Sequence, residues 1–129
     1  MNTVARIRWG RILTGALLIE ITMFAILIPL QMASADAAYW AVPVLGLLTA
    51  FLFGRWTAKP VGSRFVLHGA LAAAAASILW LTMVLVSGGM AITPLLYHLV
   101  NVLRVGAGAA GGAWARRAAE AATPAVAAR

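Results

Sequence analysis

Glu20 and Arg104 are the residues of this chain whose chemistry asks most of their surroundings: a carboxylate and a guanidinium, each in the middle of an apolar stretch long enough to cross a bilayer. At the centre of a spanning helix an ionised side chain costs roughly 2.5 to 3.5 kcal/mol, so each charge requires a partner, a water pocket or a task. Two chemistries are open to the pair. On separate helices, opposite charges neutralise each other, hold register and select helix neighbours. Alternatively, Glu20 takes up and releases a proton or ion on a transport path, because ionisable groups inside membranes mark such routes. An adjacent arginine opposes that use by neutralising the carboxylate.

Tyr97, Asn101, Arg104 and Gly108 recur at i, i+4, i+7 and i+11, the spacing of one helix face. Tyr97 and Asn101 therefore flank the arginine, and Asn101 is expected to bond the carboxylate or another helix. His68 is expected one turn inside its helix above Arg64, as a hydrated interfacial group or as an outer partner of Glu20. Two histidines on facing helices could ligate a haem only at similar depth. His68 and His98 are expected near opposite surfaces, so no cofactor is anticipated. The sequence has no metal-ligand spacing, nucleophile arrangement, phosphate loop or paired carboxylates, and its lack of cysteine removes disulfides and thiolate sites. We expect no catalytic residues, no metal and no enzymatic activity.

Positioning these groups requires membrane helices. Of the 129 residues, 64% are hydrophobic and 10% charged, with a mean hydropathy of +0.95; a soluble domain of this size does not have that composition. An all-α integral membrane four-helix bundle is expected, since open strands cannot satisfy their backbones in lipid. A basic N-terminus (1–11) precedes four spans at about 12–32, 38–56, 64–87 and 93–115, each near the ~20 residues that a ~30 Å hydrocarbon core demands. An Ala-rich tail (116–129) follows. Ser63 is a candidate N-cap for the third span. Thr93 and Pro94 form a cap followed by proline at the first helical position of the fourth.

The basic residues orient the chain. Arg6, Arg8 and Arg11 precede the first span, Arg55, Lys59 and Arg64 lie between the second and third, and Arg116, Arg117 and Arg129 follow the fourth. The other two loops, around Ser34 to Ala38 and Ser87 to Ala91, carry no Lys or Arg. Both termini are accordingly expected on the cytoplasmic side of a bacterial-type inner membrane, with Trp9, Trp56 and Trp114 at the inner interface and Tyr39 and Trp40 at the outer one. The basic start, the apolar run and Ala33-Ser34-Ala35 also resemble a secretory signal with its cleavage site. The run is longer than such a region needs, however, and contains Glu20. A net charge of +7 in clusters at span ends is what topology alone produces, so no nucleic-acid partner is expected.

Depth brings the two charges together. At about 1.5 Å per residue, Glu20 lies about 13 Å above Arg11 and Arg104 about 18 Å above Arg116, or less once the arginine side chain reaches inward. Gly46, Ala50 and Gly54 on the second helix, and Gly108 and Gly112 on the fourth, are small-xxx-small series that allow close helix approach within one bundle, in self-association or in a larger membrane complex.

At Ala16-Leu17-Leu18-Ile19-Glu20 the first helix is similar to the corresponding stretch of small multidrug resistance transporters. The resemblance implies a four-helix transporter whose first-helix glutamate binds a proton and a cationic drug. It covers five residues. The third helix departs from that family in being an alanine patch, Arg104 would repel a cationic substrate, and the one-sided basic bias opposes an antiparallel dimer. The residues therefore suggest a non-enzymatic accessory, assembly or structural membrane component held by the Glu20/Arg104 pair. The alternative is an oligomeric small transporter or channel with Glu20 as its ion- or proton-responsive residue.

Overall fold

A computed structural model describes residues 7–59, 63–91 and 93–122. Arg6, Arg129 and the end of the expected Ala-rich tail lie outside the described residues. Those described form four α-helices: α1 (Trp9–Ala33), α2 (Ala35–Ala58), α3 (Phe65–Val86) and α4 (Leu95–Ala122), with a short 3-10 turn at Gly89–Ala91. Three of them, α1, α2 and α3, are long and apolar enough to cross a membrane. The fourth is the longest at 28 residues, yet it falls short of the same apolarity. Its first half carries Tyr97, His98, Asn101 and Arg104, and its second half is weakly apolar glycine and alanine interrupted by Trp114, Arg116, Arg117 and Glu120.

Several helix boundaries differ from the sequence expectation, each for a local reason. The first two helices are separated by a single residue, Ser34, whose extended backbone (φ −160°, ψ 113°) ends α1. Its hydroxyl accepts the Ala37 N–H at 3.2 Å and caps α2, with Asp36 in the first turn beside the positive end of the helix dipole. The expected loop from Ser34 to Ala38 is therefore mostly helix. The N-cap of α3 is Arg64, in the left-handed region at φ 55°, in place of Ser63. Thr93 does not open α4 as expected: its hydroxyl donates to the Gly89 carbonyl at 2.7 Å, and the helix starts at Leu95 after Pro94.

Bundle order does not follow chain order. Each of α2 and α3 packs against both α1 and α4, whereas no Cα of α1 comes within 8 Å of a Cα of α4 among the described residues. The first and last helices thus lie on the long diagonal. The closest interfaces are those α4 makes with α2 and α3, and glycine is the reason. A Cβ added at Gly54 would stand 2.7 Å from the Gly108 carbonyl oxygen and 2.8 Å from its Cα, and one at Gly69 would meet the same carbonyl from α3. Gly112 is similarly closed by the backbone of Phe65 and Val66, and Gly111 by Phe51 and Arg55. The small residues singled out from the sequence, Gly46, Ala50, Gly54, Gly108 and Gly112, are all buried inside the chain.

Size is distributed in reverse of a soluble core. The interior is Ala16, Ala50, Ala72, Ala73, Ala76 and the glycines of the helix contacts, with Ile12 and Ile19 among the few large members, while Leu13, Leu17, Ile21, Val44, Ile78 and Leu85 face outward. An exterior this apolar on so many faces marks a membrane-contacting surface, and close small-residue contact is how helices associate where burial from water offers no drive. Buried hydroxyls bond backward to their own helix: Thr49 to Leu45 O and Thr57 to Phe53 O, both at 2.7 Å.

The glycine contacts yield a paired test. In Gly108→Ala the new methyl would meet the Gly69 carbonyl and stand 2.7 Å from Ala73 Cβ; overpacking of this kind costs about 1–3 kcal/mol. The neighbouring Gly106 has nothing within 4 Å of an added Cβ, so Gly106→Ala should be neutral or slightly stabilising. Thermal unfolding in detergent should show a lowered midpoint for the first variant alone.

Candidate functional site

The midpoint of α1 and the first half of α4 meet across the diagonal through side chains. Glu20 follows Ile12, Ala16 and Ile19 on the buried face of α1, a helical stripe that turns the carboxylate inward. Arg104 lies on the buried face of α4 with Val100, Gly108 and Gly111. Its Nη2 donates to Glu20 Oε1 at 2.5 Å, and the two residues are 2% and 6% exposed. The geometry supplies what a buried charge requires, an opposite charge in direct hydrogen-bonded contact.

Each of the other two helices contributes to this pair. From α2, Gly46 lets α4 approach beside the arginine: a Cβ there would crowd Val100 Cγ1 at 2.9 Å, whereas Arg104 Cδ, at 3.7 Å, would be in ordinary contact. From α3, the Ser77 hydroxyl donates to the Asn101 carbonyl at 2.9 Å. Asn101 itself uses Oδ1 to accept Arg104 Nη1 at 2.8 Å and Nδ2 to donate to the Tyr97 carbonyl at 2.9 Å. It thus steadies the guanidinium and does not bond the carboxylate. Arg104 Nε is buried without an acceptor, so the arginine is held by two of its three nitrogens.

Tyr97 stands apart from the charges. Its ring lies tilted against Tyr39 with centroids 5.8 Å apart, and Tyr39 meets Trp40 edge-on at 5.0 Å, forming an aromatic group at the end of the bundle where α2 and α4 begin. His68 lies away from the cluster and is not an exposed interfacial group. It is fully buried, its Nε2 accepts the backbone N–H of Arg8 at 3.2 Å, and its Nδ1 donates to the Arg64 carbonyl at 3.0 Å. These partners assign the neutral ring with the proton on Nδ1. Arg8 lies 12 positions before Glu20, roughly 18 Å along the helix direction, so His68 ties the entry of α1 to the start of α3 instead of serving the carboxylate. Nearby, Arg11 closes the same end by donating from Nη2 to the Trp56 carbonyl at 2.8 Å, with its guanidinium 4.1 Å from the Trp56 ring centre. His98 packs edge-on against Trp80 at 5.5 Å, away from His68.

Above the ion pair the bundle opens into a cavity of about 350 Å³. Met23, Phe24 and Leu27 of α1, Val42 of α2, Trp80 of α3 and Tyr97 of α4 wall it, and Glu20, Asn101 and Arg104 line its inner end. Neither Ser77 nor this cavity is foreseen by the sequence reading. Gly46 carried a signal as part of a small-residue series, whereas Ser77 bonds a backbone carbonyl that no side-chain pattern reveals.

The chain matches no protein-family model, no curated protein and no solved structure. The five-residue resemblance at Ala16 to Glu20 therefore stands by itself, and function has to be argued from the site.

The histidine tie makes a local prediction. His68→Leu removes both ring nitrogens and with them the bond from the Arg8 N–H, while the Arg64 carbonyl keeps the His68 N–H; the net loss of one such bond is about 0.5–1.5 kcal/mol. Hydrogen–deuterium exchange in nanodiscs should be about two- to tenfold faster at the Arg8 amide, with the amides around Glu20 unchanged.

Proposed function

We propose that the chain is a four-span protein of a bacterial-type inner membrane, with both termini and the α2–α3 connection cytoplasmic. It acts as a non-enzymatic accessory, assembly or structural component whose Glu20–Arg104 pair is a lock between helices. The observation that carries the reading is the way α4 divides. Arg104, Gly108, Gly111 and Gly112 turn inward, while Leu95, Leu99, Val102 and Leu103 are exposed. A helix too polar on average to span alone presents an apolar face to lipid because its polar side is covered by the other three. The lipid bilayer is the first partner of such a surface, and self-association or a larger membrane complex the next; nothing in it suits nucleic acid.

Orientation is readily tested, because the chain contains no cysteine of its own. Single replacements Ser87→Cys and Lys59→Cys should differ in intact cells: the first should react with an impermeant maleimide added outside, the second only after permeabilisation. The opposite pattern would reverse the topology.

The lock is tested by removing one charge and then both. Glu20→Gln leaves Arg104 buried without a counter-charge, a loss worth roughly 3–5 kcal/mol. The folded yield in detergent should fall sharply, and Arg104→Leu added to it should restore part of that yield. A second reading, an oligomeric transporter or channel with Glu20 as its responsive group, is favoured by one observation: Glu20 keeps Oε2 without a protein partner at the edge of the cavity. On that reading Glu20→Gln folds normally and abolishes proton- or substrate-driven flux in proteoliposomes. A variant with normal yield and no loss of flux would refute both.

A further inference from the structure

Beyond the lock, the cavity above the ion pair has the construction of a ligand site. Its 350 Å³ falls within the size range of small-molecule pockets. Its wall is apolar and aromatic, with Phe24, Trp80 and Tyr97 contributed by three different helices, and its only acidic group is Glu20 at the inner end. That carboxylate is half engaged: Oε1 receives Arg104, and Oε2 has no hydrogen bond among the described residues. Nor is Oε2 one of the enclosed orphan side-chain atoms, which among the described residues are Arg11 Nε and Arg104 Nε. It is therefore within reach of a molecule in the cavity. The opposite end is rimmed by Ile28, Gln31 and Met32, all exposed, so a long apolar substituent could leave the cavity towards the surroundings of the bundle.

We propose that this cavity binds a neutral hydroxyaromatic amphiphile. The hydroxyl donates to Glu20 Oε2, the ring packs among Phe24, Trp80 and Tyr97, and an alkyl chain passes the rim at Met32. Each part follows from a separate feature. The free position at the floor is a carboxylate oxygen, which accepts and cannot donate, so the head must carry a donor. The charge of the carboxylate is already neutralised by Arg104, so a cationic head gains no net attraction and loses its hydration on entry. The aromatic wall favours a ring through offset and edge-on contacts. Because Arg104 holds the other oxygen, binding leaves the lock closed, and the proposal stands independently of what the lock is for.

The test uses the full chain in phosphatidylcholine nanodiscs with three probes of matched length: 4-octylphenol, 4-octylanisole, whose oxygen is methylated and cannot donate, and the cationic 4-octylbenzylamine. Calorimetric titration should show saturable binding of the phenol. The anisole should bind at least about tenfold more weakly, the loss expected when a hydrogen bond to a charged group is removed, and the benzylamine no more tightly than the phenol. Val42→Phe, which narrows the cavity from α2 and leaves both charged residues in place, should abolish binding of the phenol. Equal affinity for phenol and anisole would overturn the proposal by showing a merely greasy cavity, and tighter binding of the amine would overturn the neutral head. Unchanged phenol binding in Val42→Phe would place the ligand elsewhere; should that variant not fold, the phenol-to-anisole ratio in the natural chain decides alone. Failure here would leave the Glu20→Gln and Arg104→Leu outcomes untouched, so the two readings fail separately.

Discussion

An arginine cannot shed its charge, and that constraint organises the middle of this bundle. Lysine or histidine in the same place could lose a proton and enter an apolar interior neutral, but guanidinium stays ionised under all ordinary conditions. Arg104 therefore has to find acceptors where it lies, at the level of Glu20. The two helices that carry the pair do not approach each other as backbones. A diagonal of this kind is bridged only by long side chains reaching from both sides, and glutamate and arginine supply that reach. Aspartate opposite lysine would offer a shorter span and a single point of contact. Gly46 on α2 completes the arrangement by letting Val100, on the same face of α4 as the arginine, pack closely, and Asn101 fixes the second nitrogen of the fork.

The same pair divides the bundle into two unlike halves. On one side lie Gly54, Gly69, Gly108, Gly111 and Gly112, where α2, α3 and α4 approach until a single methyl would touch backbone. On the other side the lining residues become Phe24, Leu27, Trp80 and Tyr97, too large for such closeness, and the cavity opens. Dispersion holds the glycine half, because many backbone atoms are in contact there. The looser half has fewer such contacts and relies on the polar bonds at its floor and on the aromatic contact of Tyr39 with Tyr97 at its end. The ion pair sits where close packing stops, the level at which a directional bond adds most to helix position.

Much of this was legible in the sequence, and the remainder was hidden for identifiable reasons. Charges inside apolar runs announce themselves, so Glu20 and Arg104 could be paired from depth alone. Helix centres follow from apolar length, and the spacing of Tyr97, Asn101 and Arg104 indicates one face. Neighbour order was not legible, because it depends on which glycines face which backbones, and Gly69 and Gly111 looked no different from other small residues. The role of His68 was misjudged because both of its partners are backbone atoms, the N–H of Arg8 and the carbonyl of Arg64. The polar run at Ser34 reads as the start of a loop, yet one serine both ends α1 and caps α2. In each case the missing partner was main chain, which has the same chemistry at every position and leaves no mark in residue types.

Lock and carrier make opposite demands on a carboxylate, and the geometry meets both only in part. A lock needs an oxygen permanently bonded; a carrier needs one that exchanges. Glu20 stands between the two, since Oε1 is held by Arg104 Nη2 while the residue also lines the cavity. A neutral donor can thus bind Oε2 without displacing the arginine, but a cation taking the place of Arg104 would leave the guanidinium uncompensated inside the bundle, the most costly arrangement available to it. If the cavity takes the ligand proposed for it, the asymmetry of the two oxygens favours neutral occupants over exchange of charge, and helix locking and ligand binding share one residue without competing for the same atom.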